Sequence, residues 1–141
     1  MTQQPPRMRR LKPYLLPLLW MAAIYVLSSI PSQHIPKVGA WDFVLKKGAH
    51  MGAYAVLAWL WRRTLPAKRA AGWLALAITV LYAVTDEFHQ TLVPGRLGNA
   101  ADVLVDTAGA LLGLVVWEWH ALRKRRTAVA TTGRTRHAAG D

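Results

Sequence analysis

Asp86 to Asp102 reads DEFHQTLVPGRLGNAAD, with an apolar run on either side. Three carboxylates, a histidine, a glutamine and an arginine therefore stand between two stretches suited to lipid. Ionisable groups beside hydrocarbon are costly unless they are paired or reached by water, so they point to a functional site. The run before this stretch goes from Ala70 to Thr85 and continues as helix to about Thr91. Pro94-Gly95 signals the turn that ends it. The run after it goes from about Ala101 to Leu122, with Trp117 and Trp119 near its end.

Two more apolar runs lie upstream. Pro13 to Ile30 has no charge and approaches the ~20 residues that cross a hydrocarbon core. Trp41 to Trp61 is long enough too, with tryptophan at both ends as in an interfacial belt. Lys46, Lys47 and His50 then fall within the outer third of that helix. The expected fold is all-α, an integral membrane bundle of four transmembrane helices.

The chain is 53% hydrophobic yet carries 18 Lys+Arg against 7 Asp+Glu. The cations cluster at the ends of apolar runs: Arg7, Arg9, Arg10 and Lys12; Arg62, Arg63, Lys68 and Arg69; Arg123 to Arg126. That is membrane anchoring, not the basic stripe of a nucleic-acid binder. The positive-inside rule puts both termini in the cytoplasm. Lys37, Lys46 and Lys47 lie on the other side against this rule, a hint that they are needed there. Absence of cysteine excludes disulfides, thiolate catalysis and Cys-bound zinc. Residues 1–12 read as a basic cytoplasmic segment, 13–126 as the membrane domain and 127–141 as a disordered basic cytoplasmic tail. The first run lacks a signal-peptidase site of the A-x-A type, so it reads as a retained span.

Helical spacing sorts the polar groups. Asp86, His89 and Gln90 share a face, with Glu87 about 100° away. Asp102 and Asp106 share another, continued by Gly109 and Gly113. Lys47, His50 and Tyr54 share a third. Gly48/Gly52 and Gly109/Gly113 have the small-xxx-small spacing that lets helix backbones approach. If those pairs meet, His50 comes near Asp102 and Asp106. Each group has a plainer role open to it, from solvated helix end to snorkelling lysine. Asp106 is the hardest to explain so, because it lies a full turn inside its helix. Glu118, among Trp117, Trp119 and Arg123, reads as an interfacial ion-pair partner.

Three blocks, KKGAHMGAYAVLA from Lys46, DEFHQTLVPGR from Asp86 and DVLVDTAGALLG from Asp102, resemble the VanZ-like membrane proteins. The resemblance covers about Pro13 to Trp119. It implies a small polytopic protein, and the family name is associated with low-level teicoplanin resistance; it assigns no reaction. The family's polar positions carry over onto Lys47, His50, Tyr54, Asp86, Glu87, Gln90, Arg96 and Asp102. Asp106 departs from the pattern, where asparagine is common.

Three functions follow as expectations. The first is binding of, or action on, an anionic lipid-linked envelope component at the outer leaflet. There Glu87, Asp86 and His50 are the catalytic candidates, and Lys47, Tyr54, His89, Gln90, Arg96, Asp102 and Asp106 the ligand-binding ones. Arginine suits phosphate because its planar fork binds two oxygens. No serine follows Ser32, which argues against a serine nucleophile. The second is a divalent-metal site on His50, His89 and the carboxylates, for which no compact ligand motif exists. The third is a non-catalytic scaffold or shielding partner of another envelope protein. A transporter is disfavoured because the cytoplasmic halves of the helices carry almost no polar groups. The bilayer is the one firm partner, nucleic acid is excluded, and the sequence names neither cofactor nor oligomeric state.

Overall fold

The computed structural model describes residues 6–34, 39–68 and 70–138. Lys37, Arg69 and the last three residues of the expected tail lie outside them. The described residues are all-helical: α1 Pro6–Ser28, α2 Asp42–Thr64, α3 Ala71–Gln90 and α4 Ala100–Ala138, with no strand among them. Short 3-10 turns at Ser32–His34 and Gly39–Trp41 link α1 to α2. The helices alternate in direction, so the end of α1, the start of α2, the end of α3 and the start of α4 share one end of the bundle.

Two expected boundaries shift. Helix α1 begins at Pro6 instead of Pro13; proline is tolerated in a first turn, whose N–H has no helical partner. The tail expected to be disordered from Thr127 is helical to Ala138. Its alanines and arginines are good helix formers. Extending an existing helix also needs no new nucleus.

Pro13 and Pro17 both sit inside α1. Pro17 has no N–H to offer the Pro13 carbonyl one turn back. Thr64 Oγ1 of α2 lies 3.1 Å from that carbonyl and 2.9 Å from Leu60 O, so its one proton serves either acceptor. Trp20 Nε1 donates to Ala53 O at 2.9 Å, a second tie between α1 and α2. In an apolar surrounding a freed carbonyl must find such a donor.

The core joins Ile24 of α1, Tyr54, Leu57 and Trp61 of α2, and Ala75 and Ala83 of α3. Helices α2 and α4 form the most extensive pair. A Cβ on Gly109 would overlap the Met51 backbone, and one on Gly113 the Ala55 backbone. Only this glycine pair makes the close approach. Gly48 and Gly52, expected to share it, have open space where a Cβ would stand. The crossing needs relief on one helix only, because α2 presents its backbone to the groove in α4.

The outer faces are apolar: Leu15, Leu19, Leu81, Phe88, Leu104 and Val115 are all exposed. Asp86, Glu87, Gln90 and Asp106 are buried. This reverses the arrangement of a protein folded in water. Helices α3 (Ala71–Gln90) and α4 (Ala100–Thr127) are long and apolar enough to cross a membrane; the apolar part of α1, Lys12–Ser28, is shorter.

Candidate functional site

Val93 to Arg96 makes the turn after α3, with Arg96 N–H donating to Val93 O at 3.1 Å. Pro94 and Gly95 (φ +74°) take the central positions of a type II turn, which requires positive φ at the second. Asn99 then caps α4, its Oδ1 accepting the Ala101 N–H at 3.0 Å. Glu87 Oε1 accepts the Asn99 N–H at 2.5 Å and ties the turn back onto α3.

That turn delivers Arg96 to the end of α1. Its Nε donates to Ile30 O and its Nη2 to Leu27 O, both at 3.0 Å. Its Nη1 donates to Gln90 Oε1 at 3.1 Å. The sequence pointed to a phosphate fork. In the structure the guanidinium meets carbonyls at the end of α1, Ile30 O and Leu27 O, the latter shared with the Ile30 N–H, because helix ends expose acceptors and arginine offers several donors in one plane.

Gln90 continues the chain of bonds inward, its Nε2 donating to Asp86 Oδ2 at 3.1 Å. The same oxygen accepts from Ser28 at 2.9 Å and Tyr54 at 3.2 Å. One buried network therefore links α1, α2, α3 and the turn. Ser28 was missed by the sequence reading. Its signal was a small polar residue at the end of an apolar run, at the depth of the other polar groups.

Between α2 and α4 the polar stripes pair rung by rung. Lys47 forms an ion pair with Asp102. One turn deeper, His50 Nδ1 faces Asp106 Oδ1 at 3.4 Å. Spacings of three on α2 and four on α4 match because the two helices run antiparallel at the glycine crossing. On the α2 rim Lys46 pairs with Asp42 at 2.5 Å, an i,i+4 contact within one helix. Asp42 was also missed, although that spacing was readable.

These groups surround a cavity of about 810 Å³. Lys47, His50, Tyr54, Gln90, Arg96 and Asp102 border it, as do Lys46, Asp42, Ser28 and Ser32. Asp86, Glu87, His89 and Asp106 do not border it. His89 turns to the flank of α1: its ring stacks on Tyr25 at 4.4 Å between centroids. Its Nε2 lies 3.0 Å from Ser29 Oγ. Among the described residues no three His, Asp or Glu side chains converge as metal ligands.

The opposite end is basic and aromatic. Arg62 Nε and Nη2 both lie 3.0 Å from Glu118 Oε1. Arg63 lies over Trp59, Arg62 over Trp117 and Arg123 over Trp119.

A family model described as VanZ/LLP1 matches residues 2–122. Comparison with curated proteins and with solved structures gave no match. The match spans α1, α2, α3 and α4 as far as Leu122, with the paired rungs and the turn that carries Arg96, and on that extent the chain belongs to the VanZ/LLP1 family.

Proposed function

We propose that this protein is a multi-pass protein of the cytoplasmic membrane that holds an anionic lipid-linked envelope component in its outer-leaflet cavity. In this reading all four helices span the bilayer and both termini lie in the cytoplasm. Residues 13–126 form the membrane domain, between two basic cytoplasmic segments. The exposed apolar faces around buried polar groups support a bilayer setting. Cation–aromatic pairs at the other end suit an interfacial belt. Pairing of Lys47 with Asp102 and of Lys46 with Asp42 lowers the cost of setting α2 in the membrane despite its charges.

One observation carries the ligand class. The cavity joins an apolar wall, Ile24, Leu27, Phe43 and Leu97, to a charged one, where Lys46 and Lys47 stand beside their partners Asp42 and Asp102 and an anionic head could take the carboxylates' place. That lining suits an amphiphile with an anionic head, and phosphate is the head group that lysine and arginine recognise best. Teicoplanin resistance would follow where holding such a component changes what the antibiotic meets at the cell surface. A second reading, a scaffold or shield for another envelope protein, is favoured by Arg96, whose fork is engaged inside the protein.

The chain has no cysteine, so single cysteines report topology cleanly. In intact cells Leu97→Cys, at a 92% exposed position, should react with a membrane-impermeant maleimide. Ala67→Cys should react only after permeabilisation. The reverse pattern sinks the orientation. For the ligand, native mass spectrometry should show phosphatidylglycerol retained over phosphatidylcholine. Lys47→Ala should weaken that retention roughly tenfold, as expected for one charge-assisted contact. Equal retention of both lipids by wild type would leave the scaffold reading.

A further inference from the structure

The paired rungs between α2 and α4 are not equivalent. Lys47 and Asp102 both border the cavity. In the deeper rung only His50 does; Asp106 stands behind it, 1% exposed. His50 Nδ1 lies 3.4 Å from Asp106 Oδ1, an ion-pair approach, and neither that nitrogen nor either Asp106 oxygen has a hydrogen-bond partner among the described residues. His50 Nε2 is not among the buried unpartnered atoms and has no hydrogen-bond partner among the described residues. The imidazole therefore backs onto a carboxylate, and the residue itself borders the space where a head group would lie. This is how a general base is oriented: an acceptor fixes the proton on one ring nitrogen and leaves the lone pair of the other free.

We propose that His50 is the acid–base group of a phosphodiester hydrolysis in this cavity, with Asp106 as its positioning residue. The proposal rests on the reading of the cavity as a site for an anionic lipid head group. It moves the reaction away from Glu87 and Asp86. Glu87 Oε1 is taken by the Asn99 N–H, Asp86 Oδ2 by Gln90, Ser28 and Tyr54, and neither residue borders the cavity.

The step needs only water as co-reactant. His50 Nε2 takes one proton from a water molecule as its oxygen bonds to phosphorus. The bond from phosphorus to the leaving alcohol oxygen breaks, and the electron pair stays on that oxygen. His50 returns its proton there. The products are a phosphomonoester and an alcohol, and the imidazole ends as it began. Lys47, one turn nearer the rim, offsets charge on the phosphate oxygens. An aspartate at position 106 accepts only and so holds the Nδ1–H form. Asparagine can also donate, and permits the other tautomer.

Two measurements on the full chain in phosphatidylglycerol vesicles and in cells test this. Long-range 1H–15N spectra should show His50 with Nδ1–H and a bare Nε2, and Asp106→Asn should add the Nε2–H form. Wild type showing Nε2–H alone overturns the proposal. In cells, head-group mass spectrometry should show a phosphomonoester lipid that accumulates with wild type and is lost with His50→Ala or His50→Gln. Asp106→Asn should form it about 10²-fold more slowly, the range of general acid–base assistance. The glutamine variant guards against misfolding of the alanine one. Identical lipids from wild type and both His50 variants overturn the reaction. The proposed function fails separately, through equal retention of phosphatidylglycerol and phosphatidylcholine by wild type and the His50 variants.

Discussion

Gly109→Leu is expected to prevent stable assembly of the bundle. A Cβ alone at that position would overlap the Met51 backbone, and backbone cannot rotate aside as a side chain does. Helices α2 and α4 would have to part, separating Lys47 from Asp102 and His50 from Asp106 together. Overpacking in well-packed cores costs about 1–3 kcal/mol, and a backbone clash belongs at or above the top of that range. Gly48→Ala is the control, since open space lies beyond it. It should not destabilise, since alanine in place of a helix-interior glycine is favoured by up to about 1 kcal/mol. Unfolding free energies in bicelles, measured by steric trapping, give both values. Equal effects at Gly48 and Gly109 would mean the crossing lies elsewhere on the helices.

Arg96→Ala should produce the second large effect. The side chain makes three charge-assisted bonds, to Ile30 O, Leu27 O and Gln90 Oε1. Its loss separates the end of α1 from the α3–α4 turn and leaves Gln90 without its anchor. Hydrogen bonds to charged groups contribute about 1.5–3 kcal/mol each and are not additive, so a loss of about 3 kcal/mol is the expected scale. Arg96→Lys should fall between alanine and wild type. A single ammonium cannot place donors at three acceptors that the guanidinium meets with three separate nitrogens. Both variants should melt earlier than wild type in detergent before any ligand is added. A lysine variant as stable as wild type, yet unable to retain phosphatidylglycerol, would return Arg96 to the role of ligand clamp.

Much of this site was readable from spacing because an α-helix imposes its own period. Asp102 and Asp106 must share a face of α4, and Lys47, His50 and Tyr54 a face of α2. Polar groups inside apolar runs must also find partners, so charge and depth alone implied that these faces meet. The partner of any one residue was less legible. Asp86 and His89 share a face of α3 by spacing. In the structure Asp86 enters the buried network and His89 stacks on Tyr25 at the flank of α1. A few tens of degrees of helix rotation separate these outcomes, and that rotation is set by packing.

Sequence alone determined the all-helical class, the polar end of the bundle and the turn at Pro94-Gly95. These follow from local physics: hydropathy, helical period, and a glycine in positive φ after a proline. Tertiary structure alone decided which glycine pair makes the crossing. Gly48/Gly52 and Gly109/Gly113 have the same spacing, and only the second faces a neighbouring backbone. It also decided that Arg96 turns to the carbonyls of α1, since those acceptors come from residues 66 and 69 positions away in the chain. A side chain's spacing fixes its face on its own helix; which acceptor it meets depends on the distance and rotation of the next one.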